Sequence, residues 1–129
     1  MASELYEKGM KIRREVLGDD HVDRTLASVD DFNREFQEMV TEHAWGAIWT
    51  RPGLAKRQRS LLNLGMLAAL NRPEEFEMHF RGALKNGCTL DELKETLLQI
   101  AVYCGMPAGV ASFRIARKVL DERKSTSRT

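Results

Sequence analysis

A chain of 129 residues with 43% hydrophobic content suits a single globular domain around one core and is too apolar for a disordered chain. Twenty basic and nineteen acidic side chains leave a formal net charge of +1, so no electrostatic footprint points to nucleic acid or to an anionic membrane. Cys88 and Cys104, with no secretory h-region at the N-terminus, give no support to a disulfide framework, and a reducing cytoplasm is the expected compartment.

Residues 3–17 set Leu5, Met10, Ile12 and Val16 among charged residues, the loose pattern of a peripheral helix that Gly18-Asp19-Asp20 ends. Ser28-Val29-Asp30-Asp31 reads as an N-cap sequence. Phe32, Phe36, Met39 and Val40 follow it at helical spacing and predict a second amphipathic helix. That helix runs into residues 44–53, where Trp45 and Trp49 are mixed with Gly46, Pro52 and Gly53; a structured loop is expected. Residues 56–70 are charged for one turn and then almost wholly apolar, the pattern of a central helix buried on all sides. Its apolar part holds Asn63 and Gly65 and falls far short of the roughly 20 residues of a membrane span. Asn71-Arg72-Pro73 breaks the helix, and Pro73 is placed to open the next one, which runs to Gly87 with Phe76, Phe80 and Leu84 facing inward. Thr89-Leu90-Asp91-Glu92 matches a capping box ahead of Leu93, Leu97, Ile100 and Cys104, and Gly105 is a natural stop. Pro107 opens a last helix to about Arg123. The expected whole is an all-α, single-domain bundle of about six helices over residues 1–123, with 124–129 as a disordered tail.

The residue with most chemical promise is His79. Glu75 lies four residues before it on the same helical side and Arg72 one turn earlier, so acid, imidazole and cation meet. Such a group can hold the ring protonated and prepare a general acid; an exposed surface ion pair is the competing reading. Arg59 and Asn63 share a face at i, i+4, and Asn63 stands in an apolar run where its amide needs a partner, structural or ligand. Trp45, Trp49 and Arg51 either wall a pocket or are core. Glu95, Gln99 and Tyr103 align along the capping-box helix as an interface or pocket edge, while both cysteines read as inert, Cys104 as buried. No Cys-x-x-Cys, no second His at ligand spacing and no Gly-rich phosphate loop is present, so neither metal nor cofactor is expected. A helix-turn-helix imitation around Ala101–Gly105 fails because the following helix opens on Pro107-Ala108-Gly109-Val110-Ala111, which offers bases almost no hydrogen bonds.

The segments AWGAIWTRPGL, RSLLNLGMLAALNRPEEFEMHFRGALKNG and LLQIAVYCGMPAGVASFRIA together resemble the carboxymuconolactone decarboxylase family, within the alkylhydroperoxidase-like superfamily, over nearly the whole chain. Superfamily disulfide reductases carry a Cys-x-x-Cys at the positions that here are Arg72 and Glu75, so peroxidase turnover through a disulfide is not expected. The resemblance implies an all-α, alkylhydroperoxidase-like fold and a homohexamer with active sites near subunit contacts. It also implies cofactor-independent decarboxylation of 4-carboxymuconolactone, a small dicarboxylate lactone, to 3-oxoadipate enol-lactone and carbon dioxide in protocatechuate catabolism. In that chemistry Arg51, Arg59 or Arg72 is the candidate cation for the retained carboxylate. Asn63 or Tyr103 is the candidate donor to the lactone oxygen, and His79 with Glu75 the candidate proton source.

Overall fold

The computed structural model describes residues 3–127 and is all-α: no strand occurs among the described residues. The chain parts into two compact units, Met1–Lys56 and Arg57–Thr129.

In the first unit, α1 (Glu4–Leu17) is capped by Ser3, whose hydroxyl accepts from the Tyr6 amide at 3.0 Å, and it ends at Gly18, whose φ of 91° only glycine adopts cheaply. A second helix, α2 (Asp19–Ala27), follows at once, although the sequence suggests only a stop there. Asp19 and Asp20 suit a helix N-terminus, and Arg14 ties the corner by pairing with Asp19 at 3.0 Å and Asp23 at 2.9 Å. Val22 is its one buried residue, too thin an apolar stripe to show as periodicity. The third helix, α3, is short (Arg34–Met39) and starts later than its cap-like sequence suggests, because Asp30 first closes a turn onto the amides of Phe32 and Asn33. Its expected inward face is exposed at Phe32, Phe36 and Met39.

The tryptophan segment is a loop only from Trp49 on. Past α3 the backbone widens into a π-helix over Val40–Ile48, and the Trp49 amide still reaches the Ala44 carbonyl at 3.1 Å. Glycines make the widened turn possible: a Cβ on Gly9 would lie 2.1 Å from the Thr41 carbonyl oxygen, and one on Gly46 would lie 2.5 Å from that of Leu5. Buried Arg13 also reaches the wide turn, donating to Thr41 Oγ1 at 3.0 Å and to Gln37 Oε1 at 3.1 Å. Burial pulls its guanidinium below the ordinary arginine range, and the neighbouring Tyr6 acts against that shift.

In the second unit, α4 (Lys56–Ala69) corrects the expectation of a helix buried on all sides. Leu64 and Ser60 are fully covered, whereas Leu62, Met66 and Leu70 are 52%, 47% and 65% exposed. A chain this short has no further layer with which to cover a second apolar face. Asn71, with φ at 57°, turns the chain, and Pro73 opens α5 (Pro73–Lys85) as expected, with Phe76 and Phe80 buried and stacked at 6.3 Å between centroids. Both hydrogen bonds of the capping box form at Thr89 and Glu92, starting α6 (Leu90–Cys104). Gly105 ends that helix, and α7 (Met106–Ser127) packs so closely on α6 that a Cβ on Gly109 would sit 2.5 Å from the Ala101 Cβ. The helix carries through the first four residues of the segment expected as tail; 128 and 129 lie outside the described residues. Leu64, Phe76, Phe80, Leu93, Leu97 and Val119 form the core of this unit.

Candidate active site

His79 occupies the inward side of α5 between Phe76 and Phe80 and is only 8% exposed, so its ring nitrogens need partners within the protein. Asn63 supplies a partner from α4, its Nδ2 standing 3.5 Å from His79 Nδ1. The two residues that stand out in the sequence as polar groups in apolar helix therefore meet. A neutral amide suits both protonation states of the ring: it donates to a bare Nδ1 and, turned over, accepts from a protonated one. Arg59, half-buried, lies one turn before Asn63 on the same face of α4.

Other expected members are placed differently. Glu75 is exposed, and no hydrogen bond joins it to His79 among the described residues. Arg72 caps the start of α5 in an exposed position, at φ −116° and ψ 78°. Tyr103 is 84% exposed and lines grooves with Leu61, Leu62, Glu95 and Gln99 rather than with Asn63 or His79. Trp45 and Trp49 are the buried heart of the first unit, stacked at 5.0 Å and packed with Val16, which favours the core reading of these residues; Arg51 of the same unit is exposed.

The cysteines reverse the expected order of burial. Cys104 is exposed, while Cys88 is buried, and its thiol donates to the Arg57 carbonyl at 3.5 Å. Burial pushes the Cys88 thiol up, with Arg57 acting the other way, so it is the opposite of an activated nucleophile. Among the described residues no group of three or more His, Cys, Asp or Glu side chains is disposed to hold a metal ion.

A cavity of about 320 Å³ opens beside the α5 N-terminus, lined by Arg72 and Phe76, by Leu67 and Ala68 of α4, and by Ala108, Ala111, Ser112 and Ile115 of α7. Ser112 is 3% exposed, and no side-chain hydrogen bond ties its hydroxyl to a described residue. Its signal was available: a lone hydroxyl in the apolar run of α7 poses the same question as Asn63 in α4.

Residues 34–118 match the model of the carboxymuconolactone decarboxylase family. The chain is 44% identical over 117 residues to a 4-carboxymuconolactone decarboxylase of Acinetobacter baylyi, covering 91% of this chain and 87% of that one. It is 41% identical over 118 residues to a nitrosuccinic acid decarboxylase of Metarhizium robertsii, covering 92% and 82%. Over 41 residues, 32% of this chain and 85% of the relative, it is 63% identical to a 4-carboxymuconolactone decarboxylase of Pseudomonas putida.

Proposed function

The chain belongs to the carboxymuconolactone decarboxylase family, and we propose that it is a cofactor-independent carboxy-lyase that converts 4-carboxymuconolactone to 3-oxoadipate enol-lactone and carbon dioxide in protocatechuate catabolism. The observation that carries this reading is the buried His79–Asn63 pair, a proton-handling group inside a chain that matches a decarboxylase of that name over nearly its whole length.

The reaction asks little of the protein. When the ring carboxylate leaves, its electron pair passes through the ring double bond to the lactone carbonyl, and a proton must then be placed on ring carbon. His79 is the proton source. A donor near the lactone oxygen contributes roughly 3–4 kcal/mol when well placed, and the second N–H of Asn63 is the candidate nearest to His79; exposed Tyr103 stands on another groove. Exposed Glu75 adds no more than a few tenths of a kcal/mol of screened bias to the ring's charge. A cation should hold the carboxylate that stays, because pairing with the departing one would stabilise the ground state. Arg59 and Arg72 in the second unit and Arg51 in the first are the candidates. Nitrosuccinic acid also has an acceptor, its nitro group, for the electrons of the departing carboxylate, so it is the natural rival substrate. A thiol peroxidase is disfavoured, since Arg72 and Glu75 stand where a dithiol would be needed.

Assembly as a cytoplasmic homohexamer is part of the same proposal. The exposed apolar side chains of α4 and α6, Leu62, Met66, Leu98 and Val102 with Tyr103, are a surface that a second copy would cover. Carbon dioxide release from freshly made 4-carboxymuconolactone, with nitrosuccinate in parallel, tests the substrate. Release from the lactone alone, abolished in His79→Ala with fold and assembly kept, is expected. No release from folded wild-type oligomer, or undiminished release from His79→Ala, refutes the substrate or the role of His79 respectively.

A further inference from the structure

The cavity beside the α5 N-terminus is built like a binding site for a small anion with an apolar body. Its volume of about 320 Å³ is at the lower end for ligand pockets, and its walls are Leu67, Phe76 and Ile115 with the small side chains of Ala108 and Ala111. Asn71, Arg72, Cys104 and Ser112 break this surface with polar groups, and Ser112 and Arg72 are the ones suited to an anion. Ser112, only 3% exposed, lines the cavity, and no side-chain hydrogen bond ties its hydroxyl to a described residue, so the hydroxyl can donate to a ligand there. Arg72 stands at the exposed mouth, and no carboxylate pairs with it among the described residues. Its position is set by an unusual backbone, since Asn71 is the only non-glycine described residue at positive φ, 57°, a conformation asparagine tolerates better than most residues. Glu74 and Glu75 already answer the positive end of the α5 dipole, so Arg72 brings the charge that an anionic ligand needs.

We propose that Arg72 and Ser112 form a carboxylate subsite: the guanidinium pairs with a carboxylate at the mouth, Ser112 donates to the ligand deeper in the cavity, and the apolar walls take a short carbon chain. This deepens the decarboxylase reading and rests on it for one point only, that the bound group is the acetate arm that persists through the reaction. A guanidinium there grips ground state and transition state alike, as a positioning contact should.

The test uses pentanoate, an unreactive short carboxylate, on the full oligomeric chain carrying labelled alanine methyls. Ala68, Ala108 and Ala111 line the cavity and report its occupancy, while Ala83, in the core away from its lining, serves as the reference. Saturable shifts confined to the cavity methyls are expected. Arg72→Gln should weaken them roughly tenfold or more, and Ser112→Ala by several-fold, with the reference methyl unmoved. In turnover, Arg72→Gln should raise KM more than it lowers kcat. Cavity methyls that do not respond to pentanoate, or respond equally in Arg72→Gln or to 1-pentanol, overturn the subsite. If the methyls respond as expected while the lactone releases no carbon dioxide, the subsite stands and the substrate assignment alone falls.

Discussion

Replacing Gly9 by alanine tests the account of the π-helix most severely. The added Cβ would meet the Thr41 carbonyl oxygen at 2.1 Å, the Gly46 nitrogen at 2.8 Å and the Gly46 Cα at 3.0 Å. All three are backbone atoms, so no rotamer change relieves the clash. Moving the nearest atom from 2.1 Å to a tolerable 3.0 Å means parting α1 from the π-helix by about 0.9 Å, against the Trp45–Trp49 stack and Val16. Overpacking of this kind costs about 1–3 kcal/mol, and a rigid obstacle argues for the upper end. Alanine recovers about 1 kcal/mol of helix propensity, leaving a net loss of about 2 kcal/mol. At roughly 4 °C per kcal/mol for a chain of this size, the melting temperature should fall by about 8 °C. Urea and thermal denaturation measure this, with Lys8→Ala as the control. That neighbouring change breaks only an exposed pair with Glu4, at 3.1 Å, and should move stability by less than about 0.5 kcal/mol. A Gly9→Ala protein as stable as the control would refute the close approach and the reason given for the wide turn.

Thr89→Ala removes the hydroxyl that accepts from the Glu92 amide at 3.0 Å and should destabilise the chain by about 1 kcal/mol in urea titrations, with Thr89→Ser restoring most of the loss. Glu77 links α5 to α7 through Arg81 and Lys118, both at 3.0 Å, and the Arg81 hydrogen bond, helped by Lys118, holds its carboxyl below the ordinary range against the opposing effect of burial. Its contribution, below about 1 kcal/mol because the group is partly exposed, is therefore present above the unfolded carboxylate value of about 4.3 and lost as pH falls through the lower folded value; stability of Glu77→Gln measured across that window should decline less steeply. Asn63→Asp places a carboxylate where the amide meets His79 Nδ1, which favours the imidazolium, so the alkaline limb of the kcat/KM profile for decarboxylation should move to higher pH. An unmoved limb would mean that the titrating acid is not His79.

What the sequence made legible follows the strength of local signals. Pro73, the Thr89–Glu92 capping box and the glycines at 18 and 105 act within one or two turns, and the structure places the corresponding boundaries within a few residues of the expected ones. α2 was invisible because Val22 is its one buried side chain. The π-helix reaches Ile48, into the first half of the loop expected over 44–53, for a different reason. Gly46 argues against a helix by propensity, yet here it is the residue that lets the segment lie against Leu5, and long-range packing outweighs a local cost of about 1 kcal/mol. Burial of α4 was overestimated because apolar content says that a face needs cover without saying that the same chain provides it. At the site, Asn63 and His79 could be singled out as polar residues in apolar helices, but their pairing depends on how α4 meets α5. No spacing rule within one helix contains that information, which is why Glu75, the i−4 neighbour, was the natural but exposed choice of partner.

The exchange of Glu75 for Asn63 as the partner of His79 changes the chemistry as well as the geometry. A buried carboxylate against the ring would fix it as imidazolium and oppose loss of the proton it must deliver. An amide has no charge to impose. It can donate from Nδ2 to a neutral ring or accept on Oδ1 from a protonated one, so in the proposed reaction Asn63 itself resists neither loss nor recovery of the His79 proton. The positive charge that recognises a dicarboxylate is then best supplied by a group that does not take part in proton transfer, and Arg72, on the same helix but exposed at its start, meets that condition. The proposed roles put binding and protonation on residues about two turns apart on α5, so substitution of one should disturb KM and substitution of the other kcat.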